Sequence, residues 1–128
     1  MRKIRGAACF VAVVVAAGCA SSGTSGTSSS PRGALTRDVM LETGHPTVFE
    51  AVQQLRPQWL TVRGAGRTGR PAEIIVFVDG SMYGPVGSLR QFRVNDVEDV
   101  IFLSATEAAT RWGTLAGDGG VISVRSRL

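Results

Sequence analysis

The run Ile74-Ile75-Val76-Phe77-Val78 is the most hydrophobic stretch of the chain beyond residue 31. It is continuous rather than alternating, and every member is β-branched or aromatic, which predicts a central strand covered on both faces. A chain that must cover both faces of one strand needs material on either side of a sheet. Asp79-Gly80 follows at once and signals a turn. Asp79 also invites a catalytic reading. No His, Cys or second carboxylate is spaced in the sequence to work with it, and an aspartate in a turn usually bonds its own backbone.

A second organised stretch runs from Val97 to Arg125. Val100-Ile101-Phe102-Leu103 predicts a buried strand over about Asp99–Leu103. Ser104 with Glu107 three residues later forms a capping box that opens a helix over Ala105–Trp112. Ala105, Ala108, Ala109 and Trp112 fall on one face of it, and a face made mostly of alanine allows close approach to a sheet. Gly113 is placed to end the helix as a left-handed glycine. The run Gly117-Asp118-Gly119-Gly120 permits a sharp turn, and Val121, Ile122 and Val124 supply a closing strand to Arg125.

Earlier in the chain, Thr47 and Glu50 form a second capping box. Val48, Ala51, Val52 and Leu55 follow at helical spacing, and Pro57 ends a helix over Thr47–Arg56. Trp59–Val62 reads as a short strand and Glu73–Val78 as the central one. Leu35–Leu41 reads as an edge strand or a first turn. Met82, Tyr83, Val86, Leu89 and Phe92 form a Gly/Pro-punctuated segment of satellite core with one short helix over Val86 to Gln91. The fold class is a small α+β domain: a mixed sheet of about four strands with two to three short helices. If the last two strands are parallel, the helix between them crosses right-handed.

Residues 1–18 differ from the rest. Arg2, Lys3 and Arg5 precede the apolar stretch Ala7 to Ala17, in the order of a secretory signal. The stretch is shorter than the roughly 20 residues a membrane span needs. Val15-Ala16-Ala17-Gly18-Cys19 resembles the lipobox of bacterial lipoproteins, with Ala16 where leucine is usual. That resemblance implies cleavage before Cys19 and acylation of its sulfur (palmitate among the acyl chains) and amine. Ala20 and Ser21 after the cysteine resemble the outer-membrane-sorted class. The other reading of these residues is an ordinary signal peptide cleaved between Ala16 and Cys19. Ser21 to Ser30 is almost entirely Ser, Gly and Thr, so residues 19–33 read as a flexible tether and 34–128 as the folded domain. Several acyl chains make anchoring stable where one is marginal.

Processing changes the charge balance. Losing Arg2, Lys3 and Arg5 takes the formal net charge from +4 to +1, and no lysine remains. Nucleic acid is therefore not an expected partner. Cys9 leaves with the signal and Cys19 is acylated, so the domain holds no disulfide framework and no cysteine metal site.

Gly64-Ala65-Gly66-Arg67-Thr68-Gly69 is a literal G-x-G-x-x-G, but Arg70-Pro71 follows where a dinucleotide site needs a helix. The plain reading is a loop with solvated arginines. A sharper one is that Arg63, Arg67 and Arg70 contact an anionic group or an acidic partner patch. Asn95, Asp96, Glu98 and Asp99 read as a solvated turn, without the alternation and glycine of a calcium loop. His45, the only histidine, reads as a surface or capping residue. No cofactor and no metal is expected.

Several of these pieces resemble the plug domain of TonB-dependent outer-membrane receptors. The matching residues are Thr47-Val48-Phe49-Glu50-Ala51-Val52 with Leu55-Arg56-Pro57, then Val78-Asp79-Gly80, then Val97-Glu98-Asp99-Val100, Trp112-Gly113, Ala116 and Gly119-Gly120-Val121-Ile122-Ser123-Val124. Together they span about Thr47 to Arg125. The resemblance implies a plug-like fold in which Asp79, Gly80, Trp112, Gly113, Gly119 and Gly120 are structural. The family continues into a β-barrel and this chain stops at Leu128, Ser104-Ala105-Thr106 replaces the family's Arg-Gly-Pro, and no energy-coupling box precedes the domain, so transport is not carried over. The expectation is a non-enzymatic lipoprotein, anchored in the outer membrane and facing the periplasm, that meets an envelope protein partner. The alternative is a binder of a small ligand such as an iron chelate, with Arg63, Arg67, Arg70 and Tyr83 as contacts. An enzyme would need a base within reach of Ser81 or Ser104.

Overall fold

The computed structural model describes residues 33–62, 66, 69 and 71–128. The leader, Cys19, the tether to residue 32, Arg63, Arg67 and Arg70 lie outside the described residues. The elements are β1 (Leu35–Thr36), α1 (Arg37–Leu41), α2 (Val48–Leu55), β2 (Ile75–Val78), β3 (Ser81–Pro85), β4 (Val97–Leu103), α3 (Ala105–Trp112) and β5 (Val121–Ser126). The described residues form one mixed sheet in the order β1-β4-β5-β2-β3. β2 and β5 are parallel; the other pairs are antiparallel. This is the small α+β domain that the sequence predicts.

The apolar run is covered on both faces. Ile74, Val76 and Val78 join Val100, Ile122 and Val124 against Met40 of α1 and Val48, Ala51 and Val52 of α2. Ile75 and Phe77 point the other way, with Val121, Leu103, Ala108 and Trp112. The Phe77 and Trp112 rings lie 4.4 Å apart between centroids. Of the predicted face of α3, Ala108 is buried and Trp112 half-buried, while Ala109 is exposed. The helix thus meets the sheet along a narrow line.

Both helices open as their sequences predict, with one difference. At α3 the capping box is complete: the Glu107 N–H donates to Ser104 Oγ, and the Ser104 N–H donates to Glu107 Oε2 at 2.9 Å. At α2 it is half-made. The Glu50 N–H donates to Thr47 Oγ1, but the Glu50 carboxylate accepts from the Thr47 hydroxyl and not from its backbone. The same segment is bridged to Arg93: the Val48 N–H donates to Phe92 O at 2.9 Å and the Val94 N–H to Pro46 O at 3.1 Å.

Three expectations are corrected. Trp59–Val62 is not a strand. Pro57, with its φ preset and no N–H to lose, starts a 3-10 turn over Pro57–Trp59. Trp59, Leu60 and Val62 then half-bury against the core as a covering segment. Second, Ser81–Pro85 is a strand. Asp79 and Gly80 both have positive φ, 49° and 85°, the geometry of a two-residue hairpin turn whose twist matches its strands. That turn brings residues of poor strand propensity alongside β2. Third, Gly113 has φ 60° and ψ −132°, outside the left-handed helical region, and leads into a tight turn over Gly113–Leu115. The last two strands are antiparallel, so no crossover joins them. The segment Val86–Gln91 is a 3-10 helix, and Leu35–Leu41 holds both a short edge strand and a first helical turn.

The glycines before β5 are needed for proximity as much as for turning. A Cβ on Gly117 would stand 2.4 Å from Glu73 O, and one on Gly119 would stand 2.8 Å from the same atom. The Gly119 N–H donates to Glu73 O at 3.0 Å. At Gly120, φ is +100° and a Cβ would stand 2.7 Å from Leu103 O and 2.9 Å from the Phe102 ring. Gly119→Ala and Gly120→Ala should each destabilise the fold by about 1–3 kcal/mol in urea unfolding followed by circular dichroism. Gly87→Ala, where the nearest atom is the tip of Arg90 at 3.8 Å, should stay within about 0.5 kcal/mol.

Candidate functional site

Three surface features carry exposed or convergent side chains. The first is a cleft of about 390 Å³ where the turn after α2, the end of β4, the start of α3 and the glycine loop meet, lined by Gln58, Trp59, Thr61, Phe102, Ser104, Ala105, Asp118 and Gly119. Pro57 sets the tight turn that presents Gln58 and Trp59. Phe102 comes from β4, held in register by the pairs Phe102↔Ile122 and Leu103↔Val121. The Trp59 and Phe102 rings stack with centroids 6.0 Å apart and planes 23° apart.

The second is a shallow depression of about 600 Å³ at the other end of the sheet, lined by Asp79, Gly80, Arg111, Trp112, Ser123, Val124 and Arg125. Here the carboxylate of Asp79 accepts from the Ser126 N–H at 2.9 Å and from the Ser126 hydroxyl. The Asp79 N–H donates to Val124 O at 3.0 Å. The bonds to the Ser126 hydroxyl and then to its N–H hold the carboxyl below its ordinary 3.8, aided by Arg125 and opposed by slight burial. The expected self-bonding turn is thus corrected: Asp79 ties the hairpin to the neighbouring strand through its bonds to Ser126. Asp99 is likewise not a solvated turn residue. It is 6% exposed and pairs with Arg125 across β4 and β5.

The third is the outer face of β3. Met82 is 58% exposed and Tyr83 49% exposed. A β-bulge falls at this point of the hairpin. The Tyr83 hydroxyl donates to Gln91 Oε1 at 2.9 Å, and its ring meets Phe92 edge-on at 4.9 Å.

The residues singled out in the sequence separate in space. Asp79, Gly80 and Trp112 share the depression at one end of the sheet, whereas Gly119 lines the cleft at the other. Gly113 lines a small-residue groove beside α3 with Ala105, Ala109 and Ala116. Tyr83 is at the β3 edge, and it is not among the residues lining the cleft at Trp59. Arg63, Arg67, Arg70 and Cys19 fall outside the described residues. Gln58, Trp59, Phe102 and Asp118 form a site that sequence reading missed. The apolar run after Pro57 signals a strand, whereas the proline starts a tight turn that presents Trp59.

Among the described residues no group of three His, Cys, Asp or Glu side chains is placed to hold a metal, and no helix is long and apolar enough to cross a membrane. The Ser104 hydroxyl donates to Glu107 Oε2 at 2.7 Å. That carboxylate is held below its ordinary 4.5 by the Ser104 hydroxyl and N–H, which makes it a weak base and a good helix cap. No protein-family model, curated protein or solved structure matches the chain.

A pH prediction follows from Asp79. Its depressed pKa means that its contribution is present above the ordinary value near 3.8 and is lost as pH falls through the lower, folded value. Asp79→Asn keeps a residue that tolerates positive φ while removing the charge. The variant should lose stability at neutral pH and show a weaker decline below about pH 4 than the native chain in acid titrations followed by circular dichroism. Identical acid profiles would show that the Asp79–Ser126 contact carries no stability.

Proposed function

We propose that the chain is a lipoprotein anchored in the outer membrane through acylated Cys19, and that its plug-like α+β domain is a non-enzymatic interaction module facing the periplasm. The observation that carries the reading is the position of β3, the edge strand of the sheet among the described residues. It ends the sheet and presents Met82 and Tyr83 to solvent, in a domain whose other large apolar side chains mostly serve the core. Sheet edges of this kind accept an extended partner segment through main-chain bonds, with exposed side chains giving specificity. The bulge and Pro85 restrict the open part to a short stretch, which suits a reversible contact. The lipobox-like sequence before Cys19 and the Ser/Gly/Thr tether support the anchor.

Two measurements test this. Cys19→Ala should release the protein from membranes into the soluble periplasm; a variant that stays membrane-bound would remove the anchor. Crosslinking in intact cells, followed by mass spectrometry, should recover a specific envelope protein. Met82→Lys should cut that recovery several-fold while changing stability by less than about 0.5 kcal/mol. Undiminished recovery would remove β3 as the contact.

A further inference from the structure

The depression where the C-terminal end of α3 meets β5 carries a cation that the fold leaves unmatched. We infer that it is a docking site for an acidic segment of a partner protein, with Arg111 taking an Asp or Glu carboxylate. The inference rests on the reading of the domain as an interaction module, but not on β3 as the contact.

Three observations lead there. The first is a balance of charge. All ten Asp and Glu residues of the chain lie among the described residues, so no other part of it brings a carboxylate to Arg111. The ion pair formed among the described residues is Asp99 with Arg125. Asp79 lines the depression, but both of its carboxylate oxygens accept from Ser126, one from the N–H at 2.9 Å and one from the hydroxyl. Arg111 thus has no carboxylate partner among the described residues.

The second is how Arg111 is held. Its guanidinium carbon lies 5.7 Å from the centre of the Trp112 ring, within cation–π reach. Trp112 packs in turn on the buried Phe77. A stacked guanidinium is held by its face, and its N–H donors lie in its plane, where an acceptor can reach them. Ser123 and Arg125 share one face of β5 and add donors to the same depression. Arg125 meets Asp99 through one terminal nitrogen, and its side chain is 58% exposed. The third is position. Leu35 lies opposite Val100 and Thr36 opposite Asp99, so the chain enters β1 from the Leu103 end of β4. Asp79 and Ser126 are at the other end, where Ser126 pairs with Val97. The depression therefore lies away from the end at which the chain enters the domain. The plain alternative is that Arg111 serves only its helix, since it sits in the last turn of α3, where a cation suits the dipole.

The test is a nuclear magnetic resonance titration of the full, membrane-extracted protein. The probes are the peptide Ac-Glu-Glu-Glu-NH2, its counterpart Ac-Gln-Gln-Gln-NH2, acetate and inorganic phosphate. The Glu peptide should saturably shift the Arg111 Nε–H and Trp112 indole N–H resonances, less so as salt is added. The Gln peptide should not. Arg111→Gln should weaken binding several-fold with the unfolding midpoint unchanged. Arg111→Lys keeps the charge without the planar fork and should restore part of the loss. Arg93→Gln, at an exposed arginine that does not line the depression, should have no effect. The assignment is overturned if the Glu peptide gives no shift at millimolar concentration, or if the Gln peptide shifts the same resonances equally. Binding that Arg111→Gln leaves intact would give Arg111 to the helix alone and overturn it too, as would equal losses in Arg93→Gln. Acetate or phosphate binding as tightly as the peptide would make this a site for a free anion and not for a partner. Met82→Lys should leave the titration unchanged, so failure here and failure of the β3 contact are read separately.

Discussion

The fold depends on the parallel pairing of β2 with β5. Ile75↔Val121, Val76↔Ile122, Phe77↔Ser123 and Val78↔Val124 put two strongly apolar strands side by side in the middle of the sheet. Parallel strands are characteristically covered on both faces by the elements around them, here α1 and α2 on one side and α3 on the other. Burying side chains such as Ile74, Val76, Phe77 and Ile122 stabilises by roughly 1.5–3 kcal/mol each, and each is at most 1% exposed. Such a pair cannot be joined by a tight turn, so it must be fixed at its ends by other means. Here both ends are fixed by backbone-scale contacts. At one end the glycine loop bonds to Glu73 O and Gly120 O accepts from Ile75 N–H. At the other the Asp79 carboxylate bonds to Ser126.

The rest of the domain follows from that pair. β4 extends the sheet through its pairing with β5 and brings Asp99 opposite Arg125, so a buried carboxylate is matched where removal of either partner would leave a costly charge or a lost contact. α1 and α2 cover one face. α3, with one buried alanine and the Trp112 ring on Phe77, covers the other. The two edges differ. β1 is too short, at two residues, to offer much of a template. β3 is longer and carries exposed apolar side chains, tempered by a bulge and a proline.

Much of this was legible in the sequence wherever one local signal decided the outcome. The apolar run at 74–78 fixed a strand with two covered faces. Ser104 with Glu107 fixed the start of α3 to the residue, and the segment Val86–Gln91 emerged as a helix over the expected span. The failures have a common cause: in each, a tertiary contact outweighed local preference. Apart from Tyr83, little in Ser81–Pro85 favours a strand; the turn at Asp79-Gly80 delivers it to β2. The hydrophobicity of Trp59–Val62 suggested a strand, but those side chains were wanted as a cover for the core, and Pro57 had already set a turn. Asp99 read as solvated because its partner, Arg125, is 26 residues away. The Trp59 cleft was illegible for the same reason, since its walls come from three separated parts of the chain.

That separation also bears on what the cleft can do. Trp59 is set by a turn after α2, Phe102 by its place on β4, and Gly119 and Asp118 by a loop bonded to the start of β2. The Phe102 and Gly119 walls are tied to the paired strands, and the Trp59 wall to the turn after α2. The glycines before β5 therefore serve two ends at once. They allow the close approach that fixes the parallel pair, and the missing Cβ at Gly120 leaves the space in which the Phe102 ring lies under Trp59. A substitution there should disturb the cleft and the fold together.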